Sequence, residues 1–134
     1  MVLVDTTVWL DFLRNRDTKP VAKLKKLLQA GEAVIAPVIL QELLQGASSP
    51  ENFERLHVHF AALPLLKPKS DAATHVAAAA LYARCRWRGI TPRSPHDCLI
   101  AQLCVEYKVP LLHDDRDFES LARVEPKLKL IPRG

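Results

Sequence analysis

The sequence predicts an α/β fold with a central, mainly parallel sheet flanked by helices, and three observations predict it. Short apolar runs at Met1–Val4, Ala33–Ala36 and Val109–Leu112 read as buried strands. Each is followed by a stretch with helical spacing of its apolar residues. The stretches between them are long enough for the crossover helices that parallel strands require.

Taken in order, the chain opens with a strand over 1–5, then helices over 7–14 and 19–30. A strand over 33–36 runs through Pro37, suited to the first turn of a helix, into a helix over 37–46. After the break Gly46-Ala47-Ser48-Ser49-Pro50 come a helix over 50–62 and a short extended piece over 65–67. A helix over 70–88 ends at Arg88-Gly89-Ile90-Thr91-Pro92, and Ser94-Pro95 supplies the N-cap and first-turn proline of a helix over 95–107. A strand over 109–113, a helix over 115–122 and a closing strand over 127–131 complete the chain. The breaks read as loops within one domain spanning 1–134, a length that removes about two-thirds of the unfolded surface from water.

Four acids stand out by position. Asp5 and Asp115 each close an apolar strand and open a helix. Asp97 projects from the first turn of a helix, and Glu42 rides on the mostly apolar helix over 37–46. Capping alone explains an Asp at any one of these places. Glu42 is less easily explained, because a carboxylate among Val38, Ile39 and Leu43 is costly unless something satisfies it. In an open parallel sheet, ligands bind beyond the carboxyl ends of the strands, where Asp5 and Asp115 both emerge.

Such a pocket demands a cation. Two carboxylates about 4 Å apart at an effective dielectric near 20 repel by roughly 4 kcal/mol, so several ionised together oppose folding unless a metal or an arginine offsets them. An all-oxygen ligand set favours Mg²⁺ or Mn²⁺ over zinc. A water activated by such an ion is a nucleophile for phosphodiester hydrolysis.

The net charge of +4 despite this acidic centre places basic residues around it, an arrangement suited to a polyanion. Arg84, Arg86, Arg88 and Arg93 are the candidate rim for such a polyanion, with Trp87 among them as a stacking partner for a base and Arg14, Lys23, Lys25 and Lys26 as more distant candidates. The alternative is a solvated helix end with arginines favourable to the dipole. Cys85, Cys98 and Cys104 form no CxxC pair and read as core thiols of a cytoplasmic protein. No uncharged apolar run approaches the ~20 residues of a membrane span, and no basic, cleavable leader precedes the first strand. His57, His59 and His75 read as structural or exposed.

Val4-Asp5-Thr6, the helix-borne Glu42, the segment Thr91 to Ala101 around Asp97, and His113-Asp114-Asp115-Arg116-Asp117-Phe118 together resemble the PIN-domain ribonucleases, and more closely the VapC toxins of bacterial VapBC toxin–antitoxin pairs. The resemblance spans essentially the whole chain. It implies a PIN-like three-layer α/β/α domain and a Mg²⁺- or Mn²⁺-dependent endoribonuclease leaving a 5′-phosphate. The catalytic quartet implied is Asp5, Glu42, Asp97 and Asp115, with Asp5, Asp97 and Asp115 as metal ligands and Thr6 and Asp117 in support. It also implies a homodimer and a VapB-type antitoxin whose arginine enters the acidic pocket, with the helices over 19–30 and 50–62 as contact surfaces or ordinary core. His113 stands where many relatives carry Thr or Ser, and His96 adjoins Asp97, so both positions are open.

Two other readings compete. A non-catalytic RNA-binding or partner-regulated module would keep the pocket without turnover. A phosphatase using Asp5 as its nucleophile wants an acid two residues later, where Thr7 stands.

Overall fold

A computed structural model describes residues 1–134 and has four parallel strands in the order β2-β1-β3-β4. The strands are β1 (Val2–Val4), β2 (Ala33–Val34), β3 (Leu111–Leu112) and β4 (Leu130–Ile131). Ile35 prolongs β2 outward through a single parallel bridge to Leu65, which gives the predicted extended piece its partner. The ladder is continued by Asp5 N–H donating to the Leu112 carbonyl at 2.9 Å and Leu66 N–H to that of Ile35 at 2.8 Å.

The helices are α1 (Thr6–Leu13), α2 (Lys19–Gln29), α3 (Pro37–Gln45), α4 (Pro50–Ala61), α5 (Asp71–Trp87), α6 (Pro95–Tyr107) and α7 (Arg116–Val124). Thr18, Ser49 and Ser94 cap α2, α4 and α6 through their hydroxyls, and proline occupies the first turn of each. Gly31, at φ +69°, makes the turn that returns the chain from α2 to β2.

Crossovers between parallel strands are right-handed. The chain steps from β1 outward to β2 and the Leu65 edge, then back past β1 to β3 and β4, so the two sets of connections lie on opposite faces. Accordingly α1 packs on α2 and α3, and α3 on α4, while α5, α6 and α7 pack on one another. This is the three-layer α/β/α arrangement. The sheet between the layers is apolar on both faces, with Leu3, Val4, Ile35, Leu111 and Leu112 all buried. Trp9 and Phe60 meet edge to face at 5.1 Å and fill one layer of the core.

The helices fall within a residue or two of the predicted spans. The strands are shorter than predicted, because only two or three residues of each enter the ladder. Helix α7 continues to Val124, two residues beyond the expected end, since Val124 is itself buried.

Candidate active site

The strand order sets the location of the site. Adjacent strands β1 and β3 run parallel, and the chain leaves them in opposite directions, so a crevice opens beyond their carboxyl ends. Asp5 and Asp115 stand there as the N-caps of α1 and α7. Asp5 Oδ2 accepts the Thr7 N–H at 3.5 Å, and Asp115 Oδ1 accepts that of Asp117 at 2.9 Å. Asp97 enters from the first turn of α6 and is buried, as is Asp5. Glu42 enters from α3, where Thr6 Oγ1 donates to its Oε1 at 3.2 Å.

The four acids feel one another. Burial, then repulsion from Asp97 and Glu42, pushes the Asp5 carboxyl up to about 7 against the opposing Thr6 and Thr7 amides. Asp97 is pushed up to about 6, first by burial and then by Asp115, with Asp117 and Glu42 adding and Arg93 opposing. Asp97 Oδ2 is shielded from water and has no hydrogen-bond partner. A buried carboxylate oxygen without a donor is a ligand position waiting for a cation.

The donor set is therefore one that suits a hard divalent ion: carboxylate oxygens, those of Asp5 and Asp97 destabilised first by burial and then by repulsion, with Asp97 Oδ2 orphaned. As the side chains lie, no three of the acids, histidines or cysteines stand close enough together to hold a metal ion. Arg93 holds part of the cluster instead, its Nη2 donating to Asp115 Oδ2 and its Nε lying 3.8 Å from Asp117 Oδ2.

The remaining candidates divide. Arg84 pairs with Glu125 at 3.4 Å, and Arg88 Nη1 donates to the Arg123 carbonyl at 3.4 Å, while Arg86 and Trp87 are exposed. All sit at the end of α5 that leads to Arg93 and the N-terminus of α6. Arg14 caps the far end of α1, about 12 Å of helix from Asp5. Lys25 and Lys26 lie toward the end of α2 that feeds the amino end of β2, the opposite sheet edge from the acids; Lys23, earlier in α2, donates to the Pro132 carbonyl at 2.6 Å. His57, His59, His75 and His96 are exposed.

Two features are not found by sequence reasoning. His113 is fully buried beneath the site, its Nδ1 within 3.0 Å of the Asp115 carbonyl and 3.2 Å of the Asp115 amide. A groove of about 800 Å³ runs between α3, α5 and α6, lined by Val38, Gln41, Tyr82, His96 and Leu99 among others but by none of the four acids. The spacing Asp71, His75, Ala78, Tyr82 is the helical signal that marks its α5 wall.

Comparison with known proteins agrees with this geometry. The family model of the PIN domain matches residues 2–124. VapC ribonuclease Mb1587 of Mycobacterium bovis is 32% identical over 126 residues, covering 92% of this chain and 93% of that protein. Ribonuclease VapC11 of Mycobacterium tuberculosis matches to the same extent. Among solved structures, VapBC2 from Rickettsia felis bound to a promoter DNA fragment superposes with a TM-score of 0.73 at 18% identity, covering 98% of each chain. A toxin–antitoxin complex from Klebsiella pneumoniae gives 0.73 at 16% identity, covering 100% of this chain and 98% of that one, and FitAcB from Neisseria gonorrhoeae gives 0.69 at 16%, covering 99% and 98%. These structural likenesses concern the fold, and with the family match and the sequence relatives they give one conclusion: the chain belongs to the PIN-domain family, as a homologue of the VapC ribonucleases.

Proposed function

We propose that the protein is a divalent-metal-dependent endoribonuclease toxin, restrained by a VapB-type antitoxin. The observation that supports this reading is the electrostatic coupling of Asp97 to Asp5, Glu42 and Asp115 beyond the carboxyl ends of the strands, with the Asp5 and Asp97 carboxyls pushed well above their ordinary range. Asp5, Asp97 and Asp115 would hold Mg²⁺ or Mn²⁺. The ion, when bound, supplies Lewis-acid neutralisation of the phosphoryl oxygens and lowers the pKa of the attacking water.

The chain's own residues do the rest. Thr6 holds Glu42 at the pocket, and Asp117 anchors the turn of Asp115 through its amide. The exposed arginine edge at Arg86 and Arg88, with Trp87 80% exposed between them, offers a phosphate and base platform for single-stranded RNA. The product carrying a 5′-phosphate follows from in-line attack on phosphorus with departure of the 3′ oxygen.

The named relatives are ribonucleases and the superposed structures are toxin–antitoxin complexes, which supports both the RNA substrate and the antitoxin partner. An antitoxin arginine is a cation of the right geometry to displace the metal. No helix is long and apolar enough to cross a membrane, and a cytoplasmic homodimer fits this reading.

The test is incubation of purified protein with total cellular RNA. Cleavage to fragments with 5′-phosphate ends should require Mg²⁺ or Mn²⁺, vanish in EDTA and be absent in Asp97→Asn. Cleavage that persists in EDTA refutes the mechanism, and binding without cleavage favours a non-catalytic module.

A further inference from the structure

The acids of the site are not equally provided for. Asp5, Glu42 and Asp97 have no cationic side chain bonded to them, whereas Asp115 and Asp117 share the guanidinium of Arg93. Both carboxylate oxygens of Asp115 are thereby engaged. Oδ1 takes the Asp117 amide and Oδ2 takes Arg93 Nη2.

Any divalent ion drawn to Asp115 meets these two bonds. The first is the N-cap of α7, fixed by backbone geometry. The second joins Asp115, whose side chain is only 14% exposed, to an arginine side chain that is 67% exposed and free to turn out into solvent without disturbing a helix end. Arg93 is thus the partner that yields. Its guanidinium also feels Asp97 across the pocket, so its positive charge opposes an ion settling among all of these acids. Its backbone, by contrast, is held in place. Pro92 before it is buried, and Ser94 after it caps α6. A displaced Arg93 side chain therefore stays at the mouth of the pocket.

We propose that Arg93 is a resident counter-cation that competes with the divalent ion for Asp115 and swings aside when the ion binds. The inference rests on the metal-dependent reading given above and assigns to this chain itself a brake of the same chemistry that an inhibitory arginine would use. A guanidinium suits the role because its planar fork spans two carboxylates, and a lysine would not.

The test is titration of the full-length protein with MnCl₂ by calorimetry, without RNA and in buffer free of other divalent ions. Arg93→Gln and Arg93→Met remove the charge by different shapes, and circular dichroism verifies that both fold. Both should bind Mn²⁺ about five- to ten-fold more tightly than the parent chain, because a bond to be broken and a like charge are removed together. Parent protein that binds Mn²⁺ with variants of equal or weaker affinity overturns the proposal and leaves the nuclease reading standing. Absence of Mn²⁺ binding in all three proteins overturns both.

Discussion

Thr6 and Glu42, 36 residues apart in the chain, are joined by a hydrogen bond of 3.2 Å that ties the first turn of α1 to α3 across the mouth of the acidic pocket. The hydroxyl donates to one carboxylate oxygen and leaves the other free. Because this bond orients Glu42 rather than supporting the core, Thr6→Ala should lower RNA cleavage about ten-fold while changing stability by no more than about 1 kcal/mol. Thr6→Ser keeps the hydroxyl and should restore the rate. Full activity in Thr6→Ala would remove Thr6 from the site.

Asp97 gives a prediction with a definite sign. Its carboxyl and that of Asp5 are raised, from 3.8 to about 6 and about 7 respectively, so the fold favours their protonated forms. Their contribution to stability is complete below about pH 4 and is lost as pH rises through those values. At pH 8 in EDTA, Asp97→Asn should therefore melt above the parent by about 3–6 °C, the scale of a roughly 1–2 kcal/mol relief. The difference should close toward pH 4, and scanning calorimetry across that range reads it. Cleavage should fall by at least about 100-fold in the same variant, since a proposed metal ligand and its charge are lost together. An unchanged melting temperature at pH 8 would contradict the burial argument.

His113 bears on the opposite limb of the pH profile. Burial pushes its pKa below 6.5, so the neutral ring is the folded form and stability is lost as pH falls through 6.5. The ring packs edge-on against Phe118 at 5.6 Å and bonds the backbone of Asp115. His113→Ala should cost about 2–4 kcal/mol in urea unfolding, combining a cavity with a freed Asp115 amide. A loss below about 1 kcal/mol would show that the ring is dispensable there.

The cysteines should be silent in the native state. Cys85, Cys98 and Cys104 are all buried, and burial raises each thiol, that of Cys98 up to about 12. A thiol–disulfide exchange reagent at pH 8 should find none of them until urea is added, and then all three. Rapid labelling of the folded protein would place at least one of them at the surface.

Much of this was legible before any coordinates. Asp5 and Asp115 declare themselves because an apolar run ending in Asp and leading into a helix has one geometry in a parallel sheet, and Glu42 because its helix is otherwise apolar. What escaped depends on contacts that no local pattern encodes. The pairing of Arg93 with Asp115 joins residues 22 apart, one from a loop and one from a strand end. The burial of His113 follows from Phe118 folding back over it, and a histidine at a strand end carries no mark of which way it faces. The groove exists only once α3, α5 and α6 are in place.

Strand β1 pairs at Leu3 with Leu111, more than a hundred residues later. On a translating ribosome, Asp5, Glu42 and Asp97 are all made before the strand that completes the cleft and brings in Asp115. A nascent chain therefore holds three of the four proposed site acids before the fourth has been made, and the cleft stays open on one side until β3 pairs with β1. On the proposed nuclease reading, the topology itself delays the completion of the site to a late step of synthesis and folding.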